Sequence, residues 1–173
     1  MSELRSRLDL THRRGLTLVA LLLAAFAINL DITIVNVALP SLVRELHAST
    51  SQLQWVVDAY SLVFAALILA AGSLSDRLGR KGFLLLGQAV FGLSSLAGGL
   101  TSSAGALIVT RCFMGVGAAM IFPATLSLIS NVFTERKERA RAIGLWGAVA
   151  GAAIALGPIA GGWLLERFSW QSI

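Results

Sequence analysis

The chain has 173 residues, of which 56% are hydrophobic and 13% charged, against about 25% charged in a typical soluble domain. With a mean hydropathy of +0.79, this excludes a water-soluble globular domain, a disordered tail and a nucleic-acid-binding module. The net charge of +5 is carried mostly by short loops, so it reads as membrane topology, with no nucleic acid as partner. Cys112 is the single cysteine. It allows no disulfide framework and, with no Cys/His cluster, no zinc site. Lying in an apolar run, it reads as an inert core thiol.

A membrane-crossing helix needs about 20 mostly apolar residues, and five such runs follow one another. They are Gly15–Leu39, Leu53–Leu74, Phe83–Leu100, Ala104–Phe133 and Ala142–Leu165, preceded by a polar segment over residues 1–14. The first run is too long for a signal peptide and lacks a small-residue cleavage site, so it is read as a retained helix. The connections are short, so neighbouring helices are antiparallel. The predicted fold class is an all-α integral membrane protein.

Basic residues set the orientation. Arg5, Arg7, Arg13 and Arg14 precede the first helix. Arg77, Arg80 and Lys81 lie between the second and third, and Arg136, Lys137, Arg139 and Arg141 between the fourth and fifth. The opposite side has only Arg44 and Arg167. The amino terminus is therefore expected in the cytoplasm, in a multi-pass protein of the cell inner (cytoplasmic) membrane.

Gly72, Leu74, Asp76 and Arg77 recur as Gly162, Leu164, Glu166 and Arg167. The first copy ends an inward-running helix and the second an outward-running one, as an inverted three-plus-three repeat requires. On that pattern a sixth helix would begin near residue 173, and the chain is expected to be a fragment with that helix missing.

Three ionisable residues fall inside the spans: Asp31, Asp58 and Arg111. Each costs at least ~2.5–3.5 kcal/mol near a helix centre, so each calls for a partner or a cavity. At 1.5 Å per residue they lie about 12, 8 and 10 Å below the outer ends of their runs, so Arg111 can reach either carboxylate. Low dielectric disfavours an ionised carboxylate and a nearby guanidinium restores it. Separating the two, or admitting a cationic substrate, would load or release a proton. A static structural ion pair is the alternative reading.

The fifth helix carries Gly144, Gly147, Gly151, Gly157, Pro158, Gly161 and Gly162. Small residues let helices approach closely, and Pro158 removes a backbone hydrogen bond. Pro123 and Pro40, at the end of the first run, are weaker signals. Trp55, Tyr60, Trp163 and Trp170 lie near helix ends and read as interface anchors. In the connection between the second and third helices, Gly79 permits a tight turn. Asp76 there is expected to pair locally or cap a helix. Nucleotide-binding spacings are absent, so neither ATP drive nor any cofactor is expected.

At this point the motifs resemble those of the major facilitator superfamily. Gly72 to Lys81 is similar to its G-x-L-[AS]-D-R-x-G-R-[KR] loop signature. Arg111 to Ala118 is similar to its R-x-x-x-G-x-G-[AS] pattern, and Gly157 to Gly162 to the G-P-x-x-G-G pattern of its antiporters. The longer form of that last pattern has Gly where this chain has Ala153. Leu30 to Pro40 and Trp55 to Tyr60 resemble the 14-helix drug:proton antiporter group. The resemblance covers nearly the whole chain. It implies that Gly72, Asp76, Arg77, Gly79, Arg80 and Lys81 form a cytoplasmic gate. It also implies that Arg111 is the core cation for proton movement and that Asp31 and Asp58 serve protons or cationic drugs. Gly157, Pro158, Gly161 and Gly162 would seal and hinge the fifth helix.

The function expected is proton-driven export of drugs or small metabolites by alternating access, as part of a longer protein. The expected partners are the lipid bilayer, protons, a cationic or lipophilic small molecule and the missing C-terminal helices. The alternatives are a truncated or non-transporting membrane polypeptide and an importer of the same superfamily. An enzyme is not expected, because His12 and His47 lie in loops and no nucleophile–base pair falls in a span.

Overall fold

In the structure, a computed structural model, the backbone is described for residues 2–173 and the side chains from Arg14 onward. Arg5, Arg7 and Arg13 therefore lie outside the described side chains. Five long helices follow in order: α1 (Ser2–Leu46), α2 (Thr50–Leu78), α3 (Arg80–Gly99), α4 (Ala104–Val132) and α5 (Arg136–Arg167). A single 3-10 turn at Trp170–Ser172 ends the chain. Among the described residues there is no strand. All five helices are long and apolar enough to cross a membrane, α1 over Arg14–Leu46.

Local chemistry fixes the helix ends. Ser49 and Gln52 form a reciprocal capping box at the start of α2, satisfying orphan N–H groups. Ser103 caps α4 by accepting from the Ala106 N–H. Glu135 caps α5, its carboxylate accepting from the N–H groups of Glu138 at 2.8 Å and Lys137 at 3.1 Å. Those two bonds hold its carboxyl below the usual carboxylate range. Gly79, at φ +96°, breaks α2 from α3 in a conformation that side-chain-bearing residues rarely adopt.

Pro40 does not end α1. The helix runs on to Leu46 because its next turn is wanted for packing: Leu42 is buried beside Ala38, Val56 and Leu107. Arg44 in the last turn donates to Ser41 Oγ at 3.1 Å and complements the helix dipole.

The helices form two packed groups. α4 is the most enclosed, with α2 on one side and α3 on another, while α5 packs along α1. Glycines decide both arrangements. A Cβ at Gly115 would lie 2.7 Å from the Tyr60 carbonyl oxygen of α2. One at Gly117 would lie 2.7 Å from the Phe91 nitrogen and 2.8 Å from the Gly87 carbonyl oxygen of α3. On α5, a Cβ at Gly157 would strike Thr33 of α1, and one at Gly161 would press on Ile34 and Val37. Exchanging α1 with α4 and α2 with α5 turns the α1–α5 contact into the α4–α2 contact, which is the relation an inverted repeat imposes.

α1 meets α4 along an apolar seam. Leu21, Ala24 and Ile28 pack with Met114, Ala118 and Ile121 toward one end, and Val35, Ala38 and Leu42 with Ala104 and Leu107 toward the other. The second end holds the α1–α2 and α3–α4 connections. The first holds the basic α2–α3 and α4–α5 connections and is called the basic end below.

Candidate functional site: an ion pair between α1 and α4

Arg111 sits seven residues into α4, about 10 Å from its start at 1.5 Å per residue. Gly115 and Gly117, on the following turns, draw α2 and α3 close around it. Its side chain is only 4% exposed, and its guanidinium is held from three helices. Nη1 donates to Asp31 Oδ2 of α1 at 2.6 Å, and Nε donates to the Val56 carbonyl oxygen of α2 at 3.0 Å. The cation lies 4.6 Å from the centre of the Tyr60 ring, within reach of a cation–π attraction. Met114 Sδ is 3.9 Å from Nη1.

Of the two carboxylates within reach by depth, Asp31 is thus the partner. Asp58 is exposed and has no hydrogen bond or ion pair among the described residues. The helical period explains the split. Val56, Ala59 and Tyr60 form the buried face of α2, and position 58 points to the opposite side at 100° per residue.

Tyr60 is the residue that sequence reasoning misplaced. Its position ten residues into α2 matches an interface anchor, yet it is 1% exposed. Its hydroxyl donates to the Ile28 carbonyl oxygen of α1 at 3.2 Å. The usable signal was its place four residues after Val56, on the apolar stripe. Trp170 is likewise buried, within the Val35–Leu107 cluster, whereas Trp55 and Trp163 are half exposed. Tyr60→Phe keeps the ring under Arg111 and loses only the bond to α1. It is expected to lower stability by about 1 kcal/mol, measured as a melting shift in detergent.

A cavity of about 40 Å³ borders the pair, lined also by Ser95 and Gly98 of α3, Leu107 and Trp170. That is room for a water or two. The site therefore has a buried cation, a paired carboxylate that is 13% exposed, and a small space beside them.

The other motif residues lie apart from this pair. Asp76 accepts from Arg80 Nε at 2.8 Å across the Gly79 break. This is the local pairing expected of it, though both side chains are substantially exposed. Arg77 and Lys81 are exposed, and a Cβ added at Gly72 would meet Pro123 at an ordinary distance. Ser75 is buried, and its hydroxyl has no hydrogen-bond partner among the described residues. Ser75→Ala removes an unsatisfied polar atom and is expected to be neutral or stabilising by up to about 1 kcal/mol. A clear fall in melting temperature would contradict the buried, unpartnered hydroxyl. On α5, Ala153, Gly157 and Gly161 form the buried face toward α1, while Pro158 is exposed and a Cβ at Gly162 would meet nothing within 4 Å.

Residues 21–173 match the family model of the Major Facilitator Superfamily. The chain is 46% identical over 161 residues to the methyl viologen resistance protein SmvA of Salmonella typhimurium, covering 93% of this chain and 32% of that protein. It is 44% identical to the puromycin resistance protein pur8 of Streptomyces alboniger, over 92% of this chain and 32% of that one. It is also 44% identical to the multidrug efflux pump LfrA of Mycolicibacterium smegmatis, over 93% and 32%. The chain therefore spans about a third of the length of these curated relatives. The fold is similar, with a TM-score of 0.73 at 21% identity, to the crystal structure of a bacterial homologue of the human lysosomal transporter Spinster, over 92% of this chain and 38% of that one. With five membrane-length helices packed through motif glycines around a buried Arg111, and a family model matched from residue 21 to the last, this chain belongs to the Major Facilitator Superfamily.

Proposed function

We propose that the chain is the amino-terminal part of a proton-driven exporter of drugs or small metabolites in the cell inner membrane. The observation that carries the reading is the Asp31–Arg111 pair, 2.6 Å apart and enclosed between α1, α2 and α4. A carboxylate held by a cation in low dielectric has two alternatives, ionised and paired or protonated and released, because burial and the cation act in opposite directions. Passage between them moves a proton and changes what holds α1 to α4. The relatives named for methyl viologen, puromycin and multidrug efflux support a drug-like substrate. Asp58, exposed on α2, is free to meet a cationic substrate or the remainder of the protein.

The basic end faces the cytoplasm in this reading, because Arg77, Arg80, Lys81 and the Arg136–Arg141 cluster gather there. The Asp76–Arg80 pair and its flanking cations form the gate on that face, and Gly157 and Gly161 set the packing of α5 on α1. Alternating access then follows from rocking of one half of the complete protein against the other.

The test uses the complete native gene product, expressed in bacteria lacking their own drug pumps. Export of methyl viologen that stops when a protonophore collapses the proton gradient is the expected result. Export that persists without a gradient, or no export of any cationic or lipophilic drug tried, would overturn the reading.

A further inference from the structure

α5 is anchored to α1 along the Gly157–Gly161 face, but it meets α4 only lightly. That light contact is specific. Trp146, about 15 Å from the start of α5 at 1.5 Å per residue, donates from Nε1 to Thr125 Oγ1 of α4 at 3.2 Å. Thr125 is fully buried and donates in turn to the Phe122 carbonyl oxygen at 2.7 Å, so its oxygen is held in place to accept. The Trp146 ring meets Phe122 edge-on at 5.0 Å between centres.

These contacts continue into the site. Phe122 meets Phe64 of α2 at 5.7 Å, Phe64 stacks on Tyr60 at 6.3 Å, and Tyr60 lies under Arg111. α1 is therefore fixed to the α2–α4 group at two levels. Near the middle, Asp31 and Ile28 hold it through Arg111 and Tyr60. Nearer the basic end, Leu21 and Ala24 pack directly with Ala118 and Ile121, and α5 adds a second, polar tie to α4 through Trp146.

We propose that Trp146, seated by Thr125, is a positioning residue. It sets the placement of the α1–α5 pair against α4 and thereby the register of Asp31 on Arg111. The titratable groups facing Asp31 are Arg111 of α4 and Tyr60 of α2. The charged residues of α5 lie at its two ends, beyond reach of the pair. Trp146 therefore acts by placement and not by charge. This inference rests on the transport reading above for its kinetic consequence but not for its structural one.

The test uses the complete protein with Cys112→Ser and spin labels at the exposed positions Asn131 of α4 and Ile143 of α5. Trp146→Phe keeps an aromatic ring and loses the donor. Thr125→Val loses the acceptor, and Thr125→Ser restores it. The expected result is a broadened label-to-label distance in Trp146→Phe and Thr125→Val, with the wild-type distribution in Thr125→Ser. In reconstituted vesicles the first two should lower kcat about five- to tenfold with KM unchanged, and combining them should add nothing further. An unchanged distance in Trp146→Phe, or Thr125→Ser behaving like Thr125→Val, would overturn the proposal. Kinetic losses that multiply in the double variant would overturn it too. If the wild type transports nothing, the transport reading fails, and the distances alone decide this one.

Discussion

Arg111→Ala in the complete protein is expected to abolish drug-driven proton movement while leaving the protein in the membrane. The same is expected of Asp31→Asn, for a different reason. Removing Arg111 leaves Asp31 with no cation in a site that is nearly closed, and a buried carboxylate in that position binds a proton rather than remain an unpaired charge. Insertion survives because the neutral acid is tolerated. The switch is lost because nothing remains to draw the proton off. Asp31→Asn leaves the guanidinium with the Val56 carbonyl oxygen and the Tyr60 ring but no countercharge. Breaking a buried pair from one side costs about 3–5 kcal/mol in soluble proteins. Asp31→Asn should therefore be the less stable variant, and replacing both residues together should recover part of that loss without recovering transport. Drug export and thermal melting of purified protein, measured on all three variants, check both halves. Wild-type export in either single variant would contradict the role given to the pair.

Gly117→Ala is expected to be the most damaging small substitution in the chain. The added Cβ would meet backbone atoms of α3, Phe91 N at 2.7 Å, Gly87 O at 2.8 Å and Phe91 Cα at 2.9 Å. Backbone cannot rotate away as a side chain can. The helices must part, and the expected loss lies at the upper end of the overpacking range, about 3 kcal/mol. Gly157→Ala meets chiefly the Thr33 side chain, which can turn. It should cost less stability but displace α1, and with it Asp31. Gly144→Ala and Gly162→Ala, where nothing lies within 4 Å, are the controls and should melt like the parent. A wild-type melting temperature for Gly117→Ala would mean that α3 does not lie against α4 as described.

Much of this was legible in the residues. The number and order of the helices follow from five apolar runs, since a bilayer leaves a chain of this composition few alternatives to helices. The intramembrane charges marked the site by their cost alone. Which carboxylate pairs with Arg111 was not legible, because depth along a helix does not give its rotation against neighbours. Asp31 and Asp58 were equally placed by depth and differ only in facing. Tyr60 and Trp170 failed for a related reason: an aromatic near a helix end suits the membrane interface or a helix seam equally well, and only packing decides. The first run was closed at Leu39, where the apolar stretch meets Pro40 and polar residues, whereas the burial of Leu42 that carries α1 past it is a tertiary signal. The tie from Trp146 to Thr125 was invisible, since neither residue is charged and the sequence does not show which faces α4 and α5 turn toward each other.

The central claim is that the Asp31–Arg111 pair exchanges a proton when substrate binds. The most direct measurement is proton release by the complete purified protein on adding methyl viologen, followed with a pH dye in weakly buffered detergent. The account predicts release from the wild type, and none from Asp31→Asn. Equal release from wild type and Asp31→Asn would contradict it, and would return the pair to the role of a static structural bond between α1 and α4.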